Sequence, residues 1–288
     1  IVKQTLMYAI PISLGGTIIQ TIGIVDQFVI NKLLPIIGYD LEQAKLFYGV
    51  YTGQAMKLID IPSILTVAVS VNMLPAISSA YASKSLGEIK AKTLNAYRLV
   101  SFMAIPAAFG MSTLAKPIIR FIFRNEGNDI GGLVLQILAL AVIFISFIQV
   151  STSVLQGLNR IYTPIKNITV GFTMKIAISL LIFQFPGQLV AVIAGGTVVC
   201  YIITSILNVS EIKRIIGIKA LEFKFIYITI INSIIMSIFV GLFYNYMIRI
   251  FNSNSMVLIL SILFGMTLYF ALSYATKVIR PEDINSFK

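Results

Sequence analysis

Histidine and tryptophan are absent from the 288 residues, and cysteine occurs once, at Cys200. Without histidine there is no histidine-ligated metal, no imidazole base and no Ser-His-Asp triad. One cysteine excludes a disulfide framework and a cysteine-rich metal site. No G-x-x-x-x-G-K-[ST] phosphate loop, G-x-S-x-G elbow, H-E-x-x-H helix or kinase signature occurs. A nucleotide-driven pump and those classes of enzyme therefore find no support, and neither a cofactor nor a metal is expected. Charge is scarce as well. Asp, Glu, Lys and Arg make up 11% of the chain, against about 25% in soluble domains.

What is present is apolar. Hydrophobic residues make up 58%, and mean hydropathy is +0.93. So few polar residues cannot cover a soluble surface, and so apolar a chain is not disordered. The composition indicates an all-α polytopic membrane protein. Barrel strands would alternate in polarity, whereas LVLQILALAVIFISFIQV is continuously apolar. A spanning helix needs about 20 apolar residues, and eight stretches qualify. They are expected near Tyr8–Ile30, Leu46–Ala80, Tyr97–Ala115, Gly132–Leu155, Thr163–Phe183, Leu189–Val209, Phe225–Ile248 and Met256–Ala275. The second is overlong and carries Pro62 and Pro75, which predicts a kinked helix. The chain opens IVKQTLMYAI, with no initiator Met and no signal-peptide pattern, so a preceding portion is expected.

Net charge is +11, from 22 basic and 11 acidic residues. In a membrane protein such an excess gathers in cytoplasmic loops and meets anionic lipid rather than nucleic acid. With the N-terminus inside, fourteen Lys and Arg fall in cytoplasmic segments, including Lys84, Lys90, Lys92, Lys213, Arg214 and Lys277, and six fall outside. This bias predicts cytoplasmic N- and C-termini. The basic stretch Ala82–Ala96 reads either as a surface helix on anionic lipid or, preferably, as a solvated loop that enforces topology.

Four charges fall inside expected spans: Asp26, Lys57, Asp60 and Lys175. Each costs about 2.5–3.5 kcal/mol at a helix centre on insertion scales. Lys57 and Asp60 are three apart and share a helix face, and Gln54 is one step back, so a polar stripe is expected before Pro62. The stripe suits a water-filled cavity; the alternative is a self-neutralising or snorkelling pair. Two roles are open to Asp26: neutralising Lys57 across the helix pair, or standing as a cavity-facing carboxylate that exchanges a proton. An interfacial position beside Lys32 is the plainer reading. Lys175 stands alone about twelve residues into its helix. Asn72, Gln149 and Asn167 suit interhelical hydrogen bonds. Gly49 with Gly53, and the pairs Gly15-Gly16, Gly131-Gly132 and Gly195-Gly196, read as packing or hinge positions.

Taken in order, YAIPISLGG, VDQFVINKLL, YGVYTGQAMKLIDIPSILTVAVSVNMLPAISSAYA, VSTSVLQGLNRIYTPIKN and GGTVVCYIITSILNV resemble the second half of a polysaccharide-biosynthesis flippase. The group resembled is that of the stage V sporulation protein B and MurJ-type lipid II flippases, in the MATE-like MOP superfamily. That resemblance implies fourteen helices in the whole protein, two six-helix lobes plus an extra pair. Residues 1–210 would be the second lobe. Residues 211–288 would be a basic cytoplasmic loop, the two extra helices and a tail, and an N-terminal lobe of the same protein would be the partner. In the family an A-D-R-L-x-E-x-P segment points charges at the central cavity. Here it reads Ala55-Met56-Lys57-Leu58-Ile59-Asp60-Ile61-Pro62: Lys57 replaces the Arg, Asp60 the Glu, and Met56 departs from the Asp. Lys is a point charge rather than a bidentate fork.

The resemblance implies a non-enzymatic flippase of a bacterial plasma membrane. It would carry an undecaprenyl-pyrophosphate saccharide such as lipid II by alternating access, with a proton or sodium as a coupling ion. Lys57 would be the phosphate contact and Lys175 a second cation. Asp60, Gln54 and Asp26 would orient them or exchange with an ion. Two rivals remain: a multidrug cation antiporter of the same superfamily, and a non-transporting scaffold for envelope assembly. A glycosyltransferase would need large polar loops with carboxylates, which the chain lacks.

Overall fold

The computed structural model describes residues 23–123, 128–251 and 253–278. Every regular element among them is helical. Helix α1 covers 23–36 and includes a π-helical turn at Val29–Leu33; its expected start at Tyr8 and the Gly15-Gly16 pair lie outside the described residues. Helix α2 is Leu41–Ala82, α3 Leu86–Thr113 and α4 Ala115–Ile122. Then come α5, Asn128–Leu138, α6, Ala141–Gly157, and α7, Tyr162–Leu180. Last are α8, Leu189–Ile216, α9, Lys224–Phe251, and α10, Asn254–Ala275. Six spans are long and apolar enough to cross a membrane, with α5 and α6 counted as one. The bent pair α3 and α4 makes a seventh if it counts as a single span. Of the eight expected, the remaining one is the helix ending in α1.

Where the helices start and stop differs from expectation in three places, each for a local reason. Helix α2 begins at Leu41 rather than Leu46, because Asp40 and Gln43 form a capping box that satisfies the free N–H groups of the first turn. The stretch expected as a loop, Ala82–Ala96, turns only at 83–85 and then becomes the first turns of α3. Its polar face is held by Lys92, which pairs with Glu88 at 2.6 Å and donates to the Ala76 carbonyl at 3.3 Å. Helix α8 runs to Ile216, so the expected boundary at 210 falls inside a helix and Lys213 and Arg214 ride on its last turn. Their charge there favours the helix end.

Four alternate helices, α2, α6, α8 and α10, stop with a residue of positive φ: Lys84 at 54°, Asn159 at 61°, Gly217 at 68° and Lys277 at 54°. At the three non-glycine sites the next N–H reaches back to close the turn: Ser85 to Ala80, Arg160 to Leu155 and Val278 to Ser273. This stops the chain sharply and satisfies terminal carbonyls. Short turns join the spans, so these four ends share one end of the bundle, and the basic residues gather there.

At the other end, α3 and α4 meet at an angle of 79°. Pro117 cannot donate back to the helix that would otherwise continue. Helix α4 therefore lies across the bundle end, with Ala115 and Ile119 buried and Lys116 and Arg120 exposed.

Helix α8 is the centre of the lobe. It packs on α5, α6 and α7, and 61% of its apolar stretch is buried, against 28% for α10. Helix α2 packs on α3 and α6. Helices α9 and α10 form an outer pair on α3 and α4 with their own small core, Leu114, Met236, Val240, Leu258 and Tyr269. Polar pins hold that pair: Tyr269 donates to the Phe102 carbonyl at 3.0 Å, and Asn254 donates to that of Pro117 at 3.2 Å.

Several small and polar residues act as expected. Asn167 donates to Asn208 at 2.8 Å, and Asn208 to Ser151 at 3.0 Å, joining α7, α8 and α6. Gln149 accepts from Thr66 at 2.6 Å, joining α6 and α2. Asn72 does not cross between helices: it faces outward and bonds the Ala68 carbonyl of its own helix. Gly131 and Gly132 sit against Gln54, Ile119 and Lys116, while Gly49 and Gly53 have open space beside them and form no packing face. The reason is a π-helical stretch, Gly49–Ala55, that re-registers this part of α2.

Candidate functional site

Two groups of polar residues emerge, one inside the lobe and one on an open face of α2. The inner group begins with Asp26, on the turn of α1 before its π segment. Its side chain is 1% exposed and lies 2.6 Å from Lys175 Nζ of α7, itself fully buried. Tyr51, in the π segment of α2, donates to the same Asp26 Oδ2 at 3.2 Å. The Tyr51 hydroxyl also meets Thr197 Oγ1 of α8 at 2.7 Å. Four side chains from four helices thus share one buried site, and Asp26 Oδ1 is buried there without a hydrogen-bond partner. A buried charge persists only when it is paired and hydrogen-bonded, and here each ion meets its opposite.

This arrangement answers two of the three readings of Asp26. It is neither interfacial nor the partner of Lys57; its counter-ion is Lys175. Lys175, which stands alone in the sequence, pairs with Asp26 across the bundle. Tyr51 and Thr197 were not picked out from the sequence. The only hint was Thr197 following the Gly195-Gly196 pair. Gly196 lets α8 approach α7 where an added Cβ would stand 3.3 Å from Ile178 and 3.8 Å from the Lys175 carbonyl. That close crossing is what brings Thr197 within reach.

The outer group is Lys57 and Asp60. Both are exposed, on the α2 face that also presents Ile61, Ile64 and Val71. The opposite face, with Leu58, Ile59, Ser63 and Thr66, is buried in the lobe. Lys57 forms no ion pair with any described residue. Gln54 does not continue this stripe. It is buried, with its Oε1 unpartnered and 2.8 Å from where a Cβ on Gly131 would stand. The i,i+3 rule assumes α-helical register, and Gln54 lies in the π segment, where the register differs. No cluster of metal-binding side chains exists among the described residues.

Residues 53–265 match the family described as Lipid II flippase MurJ. The chain belongs to that family. Its Lys57–Pro62 segment, Lys175 and Thr197 fall within the match, and Asp26 and Tyr51 precede it. The chain is 23% identical over 215 residues to Lipid II flippase MurJ of Bacillus subtilis (strain 168), covering 73% of this chain and 38% of that protein. It is 24% identical over 235 residues to Stage V sporulation protein B of the same organism, covering 80% of this chain and 45% of that one. A third relative there, Uncharacterized membrane protein YabM, is 28% identical over 169 residues, 59% of this chain and 30% of that protein. The chain therefore spans less than half the length of these relatives. The fold is similar to a solved structure titled Lipid II flippase MurJ, inward closed conformation. There the TM-score is 0.60 and the identity 17%, over 88% of this chain and 52% of that one. The MurJ-type fold and a multi-pass membrane location follow from these matches and from the apolar spans.

Proposed function

We propose that this chain is one lobe, with its outer helix pair, of a membrane flippase that carries a lipid-linked saccharide such as lipid II across a bacterial plasma membrane by alternating access. The observation that carries the reading is the placement of Lys57. It is an unpaired cation on an open helix face, within the matched segment, on the side the lobe leaves uncovered. Across from that face a second lobe would complete a hydrated cavity, and the lobe through the end of α8 would move as one body. Lys57 would hold the pyrophosphate as a charge-assisted contact, Asp60 would orient Lys57, and the lipid tail would stay in the bilayer. No covalent chemistry is needed.

The inner group has a different task in this scheme. Asp26, Lys175, Tyr51 and Thr197 tie α1 and α2 to α7 and α8, so that rocking of the lobe carries the Lys57 face as a unit. With Lys175 spent on Asp26, the substrate contact falls to Lys57. A coupling ion, proton or sodium, would act through groups on the open face. A cationic-drug antiporter is disfavoured by the unpaired ammonium on that face, which would repel such a substrate.

The test is reconstitution of the full-length protein into vesicles that carry a labelled undecaprenyl-pyrophosphate saccharide on one leaflet. The proposal expects protein-dependent movement of the label to the other leaflet. Equal movement of a labelled lipid lacking the pyrophosphate would overturn it, as would no movement by correctly folded protein.

A further inference from the structure

The basic end of the bundle holds a cavity of about 200 Å³ that plays no part in the flippase reading. Helices α3, α6, α8 and α9 contribute Tyr97, Phe147, Lys213 and Tyr227, and the turn before α9 contributes Phe223. The walls are aromatic and mutually braced. Tyr97 stands edge-on to Phe147, with ring centres 5.5 Å apart, and edge-on to Phe223 at 5.6 Å. The Tyr97 hydroxyl is buried. Lys213 Nζ lies 5.0 Å above the Phe223 ring and forms no ion pair with a described residue.

The neighbouring acids are already engaged: Glu222 by Lys90 at 2.9 Å, and Glu211 by Arg214 at 2.8 Å. The Arg98 guanidinium stands 5.5 Å over Phe225 nearby. The cavity is therefore aromatic, with Lys213 as the cation on its wall, and Tyr227 on its lining is 67% exposed.

A purely apolar ligand would have no use for Lys213, and a free anion would gain nothing from aromatic walls. An amphiphile with an anionic headgroup uses both. Basic pockets between spans at the charged end of a bundle suit such lipid headgroups, and aromatic residues favour the same depth. We propose that this cavity is a binding site for the phosphodiester headgroup of an anionic membrane phospholipid. The phosphate sits on Lys213, and the glycerol region lies against Tyr97, Phe147 and Phe223. A lipid held there bridges the lobe to the outer pair through α9. The proposal stands independently of which substrate is flipped.

Native mass spectrometry of the full-length protein in detergent, titrated with phosphatidylglycerol or phosphatidylcholine, tests it. The expected result is a saturable phosphatidylglycerol adduct with little phosphatidylcholine. Lys213→Gln should weaken it about tenfold, the scale of one charged hydrogen bond. Lys213→Arg should retain it, and Lys219→Gln, on the exposed connection, should leave it unchanged. Each variant's melting temperature verifies folding. Equal uptake of both lipids, or unchanged binding by folded Lys213→Gln, would overturn the site. Glycerol 3-phosphate binding as tightly as the lipid would overturn the lipid assignment.

Discussion

Lys175 Nζ lies 2.6 Å from Asp26 Oδ2 although 149 residues separate them. The contact fastens α1 to α7 in the buried interior of the lobe. Removing one partner leaves the other charge buried and alone, which costs about 3–5 kcal/mol. Asp26→Asn or Lys175→Met alone should therefore lower the melting temperature in detergent sharply. The double change Asp26→Asn with Lys175→Met should recover most of the loss. If both single variants melt like the parent, the pair is not formed in the folded protein.

Close helix crossing gives a second, steric prediction. A Cβ on Gly171 would collide with Thr204 Oγ1 and stand 2.6 Å from the Cys200 carbonyl, so Gly171→Ala must push α7 off α8. Overpacking of this kind costs about 1–3 kcal/mol. Gly195 has nothing within 4 Å, and Gly195→Ala should be neutral or gain up to about 1 kcal/mol from helix propensity. Thermal unfolding of the two variants side by side is the measurement, and similar shifts would contradict the packing described.

The architecture was legible in the sequence because spans are written as long apolar runs, and bilayer thickness leaves little choice of element. The charged residues within the spans were legible too, since four charges in apolar helices demand partners. Which partner each takes was not. Asp26 and Lys57 are near in sequence and close in expected depth, so pairing them was natural. The π turns at Val29–Leu33 and Gly49–Ala55 rotate the faces in a way that periodicity of 3.6 does not express. Tyr51 and Gln54 lie on that altered register, which is why one went unnoticed and the other was placed on the wrong face. The exposed face of Lys57 was readable only as a cost awaiting a reason.

At the basic end, the Lys90 ammonium and, after it, the Lys219 backbone N–H hold the Glu222 carboxyl below the usual carboxylate range. A carboxyl depressed in the folded state contributes its stabilisation above the unfolded value, and that contribution fades as pH falls through the folded value. The Lys90–Glu222 tie should therefore persist from neutral pH into mild acid and loosen only below the ordinary glutamate range. Carboxyl carbon shifts of Glu222 in labelled protein report its midpoint, and Lys90→Met should raise it. A midpoint at the ordinary value in the parent protein would contradict the tie.

The most direct test of the flippase account is transport by full-length protein altered at Lys57. The account requires the positive charge on the open face of α2, so Lys57→Ala should abolish most flipping of a pyrophosphate-linked saccharide in vesicles. Lys57→Arg, which keeps the charge and bonds phosphate well, should retain much of it. Since Asp60 shares the face, Lys57→Ala with Asp60→Asn removes the concern that an unpaired carboxylate disturbs folding. The account predicts that this double variant inserts and melts normally yet does not flip. Normal flipping by Lys57→Ala, or transport restored in the double variant, would contradict it.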